Sequence, residues 1–158
     1  MSLHPVNVEE LVNKILASFA HQIAQHHTSV VVGTLPVVIA DPLELEQIFS
    51  NLLSNAIKYL TNDRKGVIQV GAESAEHETI FHVNDNGRGI AGEDLEKIFE
   101  IFRRAGKQDV QGEGMGLAFV KTLVRRHGGI ISCNSELGVG STFIFTISKH
   151  NELEIKDS

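Results

Sequence analysis

Cysteine occurs once, at Cys133, so neither an internal disulfide framework nor a thiolate metal cluster can organise this chain. The eight histidines are scattered rather than set at metal-ligand spacing. No apolar run approaches the length that spans a membrane, and the first residues carry neither a basic leader nor the apolar core of a signal peptide. The expectation is a cytoplasmic domain making no membrane contact of its own. Basic residues are in the minority: a net charge of −6 argues against nucleic acid as a partner, so any anion bound here must be held by local donors. Repeats and low-complexity tracts are missing too. What remains is ordinary for a globular protein of 158 residues, 42% hydrophobic and 22% charged, and the whole length 1–158 reads as one domain with a sizeable core. Met1-Ser2-Leu3 stands outside the pattern and suggests a fragment cut from something longer, whose parent is free to be membrane-anchored.

The most informative stretch is residues 41–59. Asp41 is placed as N-cap, Pro42 at the first helical position, and Glu44 to complete a capping box. At about 100° per residue, Phe49, Leu52, Leu53, Ala56 and Leu60 share one side, while Gln47, Asn51, Asn55 and Lys58 share the other. A solvated helix face ordinarily carries mobile Glu and Lys. This one sets two amides one turn apart with a lysine a turn further on, short oxygen ligands suited to a hard cation and a metal-bound phosphate. A solvated face that is merely rich in asparagine remains the plainer reading of this helix alone.

Around it, Asn7 and Glu10 cap a first helix whose apolar positions Val8, Leu11, Val12, Ile15, Leu16, Phe19 and Ile23 recur with helical spacing. Residues 29–32 and 37–39 read as short β segments, and 61–66 as a polar break. Residues 67–72 and 79–83 read as an antiparallel strand pair. Residues 93–102 return to helical spacing, with Phe99 and Phe102 as a hydrophobic latch. Two more strands, 130–133 and 142–147, follow a glycine-led helix, Cys133 being a small buried hydrophobe in the first of them. His127 sits where a helix C-terminal dipole would explain it, and the tail from Lys149 is expected to fray.

Two glycine motifs bear on ligand binding. In Asp85-Asn-Gly-Arg-Gly89 an aspartate leaves a strand end, and Gly87 and Gly89 permit close approaches that a Cβ would block. Asp85 either bonds its own turn or faces a ligand. Residues 103–112 have no periodicity and few anchors, and end in Gly112-Glu-Gly-Met-Gly-Leu117, glycines running into a helix N-terminus whose amides suit phosphate. The spacing fits neither a dinucleotide-binding fingerprint nor a P-loop.

Asn51-Leu-Leu-Ser-Asn-Ala-Ile-Lys-Tyr59, Asp85-Asn-Gly-Arg-Gly89, Phe99-Glu-Ile-Phe102 and Gly112-Glu-Gly-Met-Gly-Leu117 occur in the order and spacing of four boxes. Together they resemble the catalytic ATP-binding domain of sensor histidine kinases, over roughly residues 5 to 148. The resemblance implies a two-layer α/β sandwich of the Bergerat type, with a mixed, mostly antiparallel sheet, three main helices and a mobile ATP lid at about 103–114. It implies Asn55 as Mg²⁺ ligand, Asn51 and Lys58 toward the phosphates, and Tyr59 beside the nucleoside. Asp85 would accept from the adenine amine, with Gly87, Gly89 and Ile90 shaping the base pocket and Thr142 helping to close it. Arg104 would reach phosphate from the lid, and Gly112, Gly114, Met115, Gly116 and Leu117 would cradle the triphosphate. Asn51, Lys58 and Arg104 are thus the catalytic candidates, ATP and Mg²⁺ the expected ligands.

The family's phosphoacceptor histidine lies on a separate helical dimerisation domain. His77-Glu78 comes closest here but lacks the following proline, so the acceptor is expected elsewhere in the parent protein, with a response regulator further downstream. Hydrolytic relatives resembling gyrase or the heat-shock chaperone place a glutamate base where this chain has Asn51, an amide that cannot take a proton. Serine kinases of the same fold lack the Phe99/Phe102 latch, and a binding module that never transfers phosphate would keep the same nucleotide motifs.

Overall fold

The protein was analysed as a computed structural model that describes residues 1–100 and 116–156. The expected lid at 103–114 and the Phe102 half of the latch lie outside the described residues. The element order is β1 (His4–Asn7), α1 (Val8–Ser18), α2 (Ala20–Gln25), β2 (Ser29–Val32), β3 (Val37–Ala40), α3 (Pro42–Lys58), β4 (Val67–Ser74), β5 (Glu78–Asp85), α4 (Gly92–Leu95), α5 (Gly116–Arg126), β6 (Ile131–Glu136), β7 (Gly140–Ser148) and α6 (Asn151–Lys156).

Five strands form one sheet in the order β2-β4-β5-β7-β6, parallel between β2 and β4 and antiparallel elsewhere. The mixed, mostly antiparallel sheet matches expectation. A separate antiparallel pair joins β1 to β3, and β1 carries too little apolar alternation to be read from sequence. Strand alternation sends Val83, Phe81 and Thr79 of β5, with Phe143, Phe145 and Ile147 of β7, to one buried face. Helices α3 and α5 cover that face, with α1 packed against α3, giving two layers.

Three aromatic rings fix the centre. Phe49 of α3 meets Phe81 and Phe145 edge-on at 5.5 and 5.2 Å between centroids, while Phe81 and Phe145 stack at 5.2 Å. All three are fully buried. Such pairs contribute about 0.5–1.5 kcal/mol each beyond their burial, enough to set the rotation of α3 on the sheet. With Phe49, Leu52, Leu53 and Ala56 turned to the core, Asn51 and Asn55 must face the other way.

Asn7 caps α1 as expected, its Oδ1 accepting the Glu10 amide at 3.0 Å, but the helix breaks at Phe19 before α2 begins. Asp41 caps α3 by accepting the Glu44 amide at 3.0 Å. The second half of the expected capping box does not form, because the Glu44 carboxylate holds Arg126 bidentately at 3.0 and 2.9 Å. The Asp41 amide donates instead to Nε2 of His127 at 3.1 Å. Nδ1 of the same ring lies 2.8 Å from the Leu123 carbonyl in the last turn of α5. A ring nitrogen that accepts from a backbone amide carries no proton, so Nδ1 is the donor and the imidazole is neutral. The helix-dipole account of His127 is therefore corrected: the fully buried ring caps α5 and completes the start of α3 at once.

The helix expected over 93–102 shrinks to the single turn of α4, followed by turns to Phe99, whose ring meets Phe143 edge-on at 6.2 Å. Nor does the chain fray from Lys149. Nζ of that residue bonds Oγ of Ser74 at 2.7 Å and the Ala75 carbonyl at 2.6 Å. Buried Asn151 donates to the carbonyls of His127 and Ile39.

Replacing His127 with leucine keeps the volume but strands the Asp41 amide and the Leu123 carbonyl. At about 1–3 kcal/mol for each of these two unpaired groups, the variant is expected to lose about 2–6 kcal/mol in urea denaturation. A loss below about 1 kcal/mol would show that the ring only fills space.

Candidate functional site

The polar face of α3 is arranged rather than merely solvated. Nδ2 of Asn51 donates to the Gln47 carbonyl one turn back at 2.8 Å, which turns Oδ1 outward. That oxygen lies beside Gly116, where an added Cβ would stand 3.4 Å from it. The first residue of α5 and the amide face of α3 are thus in contact distance. Asn55 is half-buried, and its side-chain amide has no hydrogen bond among the described residues. Lys58 is exposed at the helix end, its Nζ 5.9 Å from the centre of the Tyr59 ring.

The turn after β5 is bonded to the same end of α3. The Arg88 amide donates to the Tyr59 carbonyl at 3.0 Å, closing the helix C-terminus, and the Arg88 carbonyl accepts from Gly138 at 2.6 Å in the turn between β6 and β7. Any side chain at Gly87 would meet the Tyr59 carbonyl at 2.4 Å. Gly89 has φ +74°, and a Cβ there would meet the Glu136 carbonyl at 2.1 Å. Both glycines therefore admit neighbouring backbone that a Cβ would exclude.

Asp85 stands at the centre of this turn, 6% exposed. Its Oδ1 accepts the Gly87 amide at 2.8 Å, and the Ser141 amide lies close enough to the carboxylate to favour its charged form. Burial, the larger influence, pushes its pKa up, and the two amides pull it back. Asp85 is thus a turn aspartate through one oxygen, which leaves the carboxylate acceptor capacity to spare. Behind it, burial and then the Asp85 charge push the Cys133 thiol up to about 12, so the half-buried cysteine is an unreactive packing residue, as read from the sequence.

Thr142 departs from expectation. Antiparallel partners share a sheet face, and Asp85 is paired with Ser141 while Thr142 is paired with Asn84, whose Nδ2 donates to the threonine Oγ1 at 2.7 Å. A shift of one residue along a strand reverses the face, so Thr142 lies on the side away from Asp85 and Ser141 takes its place beside the carboxylate. Ile90 is held by its amide, which donates to Ser135 Oγ at 2.7 Å, and both Ile90 and Leu117 pack against the core. Arg104, Gly112, Gly114 and Met115 lie outside the described residues.

Two residues passed over in the sequence join this region. Arg64, from the stretch read as a polar break, clamps the Asn86 and Gly87 carbonyls at 2.9 and 2.8 Å and so fixes the Asp85 turn. Arg88 lays its guanidinium 4.2 Å over the Tyr59 ring. Neither has a local sequence signature, since each contact is made across the fold. Lys58, Arg64 and Arg88 together give this end of a net-acidic chain a positive rim. Among the described residues no group of three or more His, Cys, Asp or Glu could hold a metal ion. The donor set that does fit a hard cation shared with phosphate is the Asn55 amide, unpartnered and one turn from Asn51.

Residues 40–151 match the family described as histidine kinase-, DNA gyrase B-, and HSP90-like ATPase. The phytochrome-like protein Cph1 of Synechocystis sp. is 39% identical over 142 residues, which cover 89% of this chain but 19% of that relative. The catalytic domain of histidine kinase ThkA superposes with a TM-score of 0.81 at 27% identity, covering 94% of this chain and 97% of that one. Full-length ShkA in complex with AMPPNP gives 0.80 at 29% identity, over 93% of this chain and 31% of that one. The amide face of α3, the Asp85 turn and the start of α5 thus sit in a fold shared over 94% of this chain with a kinase catalytic domain, and the chain belongs to the histidine kinase-, DNA gyrase B- and HSP90-like ATPase family.

Proposed function

We propose that this domain binds ATP with Mg²⁺ and donates the γ-phosphoryl group to a histidine on a separate helical dimerisation domain of the same parent protein, for onward transfer to a response regulator. The observation that carries the reading is Asn55. It offers a half-buried amide with no protein partner among the described residues, on a helix face held opposite the start of α5 and continuous with the Asp85 turn. Asn55 would hold the metal, and Asn51 and Lys58 would face the phosphates. Tyr59 would lie beside the nucleoside and Asp85 would accept from the adenine amine, next to Gly87, Gly89 and Ile90. Ser141 replaces Thr142 in that pocket. The roles of Arg104, Gly112, Gly114 and Met115 follow from the motifs alone, while Gly116 and Leu117 open α5, whose first amides have no partner within the helix.

The chemistry asked of these residues is electrostatic. The acceptor imidazole attacks the γ-phosphorus as the bond to the bridging oxygen of ADP breaks, and cationic groups and amides balance the charge on the transferring oxygens. Mg²⁺, when bound, shields the phosphate charge shared between the leaving ADP and the transferred group. Hydrolysis is disfavoured by Asn51, since an amide occupied by the Gln47 carbonyl cannot deprotonate water. No helix among the described residues is long and apolar enough to cross a membrane, which is consistent with a domain that works beside one or away from it.

Asn55→Ala is expected to weaken Mg²⁺-dependent ATP binding at least about tenfold, or about 1.4 kcal/mol, with an unchanged unfolding transition. Isothermal titration with and without metal reads this out, and an unaltered affinity for ATP·Mg²⁺ would remove Asn55 from the site.

Asp85→Asn is expected to weaken ATP and to erase a preference over GTP of at least about tenfold, because an ionised carboxylate only accepts and meets the guanine carbonyl lone pair against lone pair. The same variant should stabilise the nucleotide-free domain at pH 7. The folded pKa of Asp85 lies above the unfolded value of 3.8, so the native state binds more protons in that window and wild-type stability falls as pH rises through it. The advantage of the variant should therefore be full above the raised pKa and vanish as pH falls toward 3.8. Thermal melts across pH check this, and an advantage that grows on acidification would contradict the assigned burial cost.

A further inference from the structure

The hydroxyl of Ser135 sits at a junction of three elements. Its Oγ accepts the Ile90 amide at 2.7 Å, faces the Gly140 carbonyl at 2.9 Å, and lies 2.8 Å from Oγ of Ser141. A serine hydroxyl has one proton and two acceptor sites. The Ile90 amide can only donate and the Gly140 carbonyl can only accept. Ser135 therefore spends its single proton on Gly140 and one acceptor site on Ile90. Only an acceptor site is left for Ser141, whose own proton must point at Ser135. Ser141 is itself the register partner of Asp85 on the neighbouring strand.

We propose that Ser135 is a positioning residue for base selectivity, acting through Ser141: by taking the Ser141 proton it leaves that hydroxyl with only lone pairs to present beside Asp85. This rests on the reading of Asp85 as the adenine acceptor and deepens it. An aspartate alone rejects a carbonyl at the 6-position of a purine, but an adjacent hydroxyl free to rotate would relieve the rejection by turning its proton toward that carbonyl. With the Ser141 proton committed, both neighbouring groups are acceptors. The pocket then favours a 6-amino purine and penalises a 6-oxo purine twice. Ser135 is half-buried on β6, and nothing in its local sequence distinguishes it from its neighbours Ser132 and Asn134. Its role comes from the register that sets Ser135 against Ser141 and Ser141 against Asp85.

Inosine triphosphate is the probe, because it carries the 6-oxo group without the 2-amino group of GTP. Competition against a fluorescent ATP analogue would give the ATP:ITP affinity ratio for the wild type, Ser135→Ala, Ser135→Thr and Asp85→Asn, with melting temperatures recorded for each. Wild type is expected to prefer ATP at least about tenfold, and Ser135→Ala to cut that ratio at least about fivefold by gaining ITP affinity. Ser135→Thr, which restores a hydroxyl, should return the ratio to within about twofold of wild type. If Ser135→Ala weakens both nucleotides equally, Ser135 is a staple for the Ile90 turn and the proposal is overturned. If Asp85→Asn leaves the ratio unchanged, the base pocket lies elsewhere and both readings fall. If Asp85→Asn changes the ratio and Ser135→Ala does not, only the Ser135 proposal fails. Should Ser135→Ala not fold, Ser141→Ala tests the same acceptor: the ratio must drop, and an unaltered ratio counts against the proposal.

Discussion

The neutral imidazole of His127 joins the end of one site-bearing helix to the start of the other. Helix α5 ends with carbonyls that its own backbone cannot satisfy, and α3 begins behind an amide that its capping aspartate cannot reach. One buried ring answers both, at 2.8 Å to Leu123 and 3.1 Å to Asp41. The outer contact between Arg126 and Glu44 runs parallel to it but is half exposed on the arginine side, where such pairs are worth about 0–1 kcal/mol. The buried ring therefore carries most of the specificity at this junction. Because α3 and α5 are tied at this end, the distance between Asn51 and the first turn of α5 is fixed at the other. The junction adds to the apolar packing of Val120, Leu123 and Val124 in the core they share with α3, which holds the two helices in register.

A second constraint acts on the Asp85 turn. Its backbone is committed on every side: to Tyr59 through Arg88, to Gly138 through the Arg88 carbonyl, to Arg64 through two further carbonyls, and to Ser135 through Ile90. Such a turn holds the Asp85 carboxylate buried, since its backbone is bonded in place by its neighbours. Burial there pushes its pKa up, against the pull of neighbouring amides. Binding sites built from rigid, costly polar groups discriminate well because the penalty for mispairing cannot be relaxed away.

What the sequence made legible follows the range of the interactions. Helix α3 was readable at both ends, because its N-cap, Pro42 and apolar stripe are local signals. The strand pair β4–β5 was readable from alternation, and its extra residues at either end are the usual uncertainty of boundaries. Helix α4 was overcalled, since apolar spacing around Phe99 is also what a series of turns needs to reach Phe143. The capping box failed because Arg126, 82 residues away, competes for Glu44. Arg64 and Arg88 were invisible for the same reason, and the exchange of Thr142 for Ser141 turned on a strand register that no local pattern fixes. The amides, glycines and aspartate of the candidate site could be named from their motifs, while the groups that orient them had to be seen in three dimensions.

Asn151, bonded to the carbonyls of His127 and Ile39, has a consequence for how the domain comes into being. Its contact with Ile39 spans 112 residues, and the amide before α3 waits for a ring 86 residues downstream. Contacts of such long sequence separation form late, after the entropy of closing the loop has been overcome. A nascent chain that has passed α3 can therefore make the amide face but cannot yet seat its first turn. The start of α3 gains these partners only once the last strand and the helix after it are in place. Residues near 151 therefore supply the contacts of longest sequence separation around the first turn of α3.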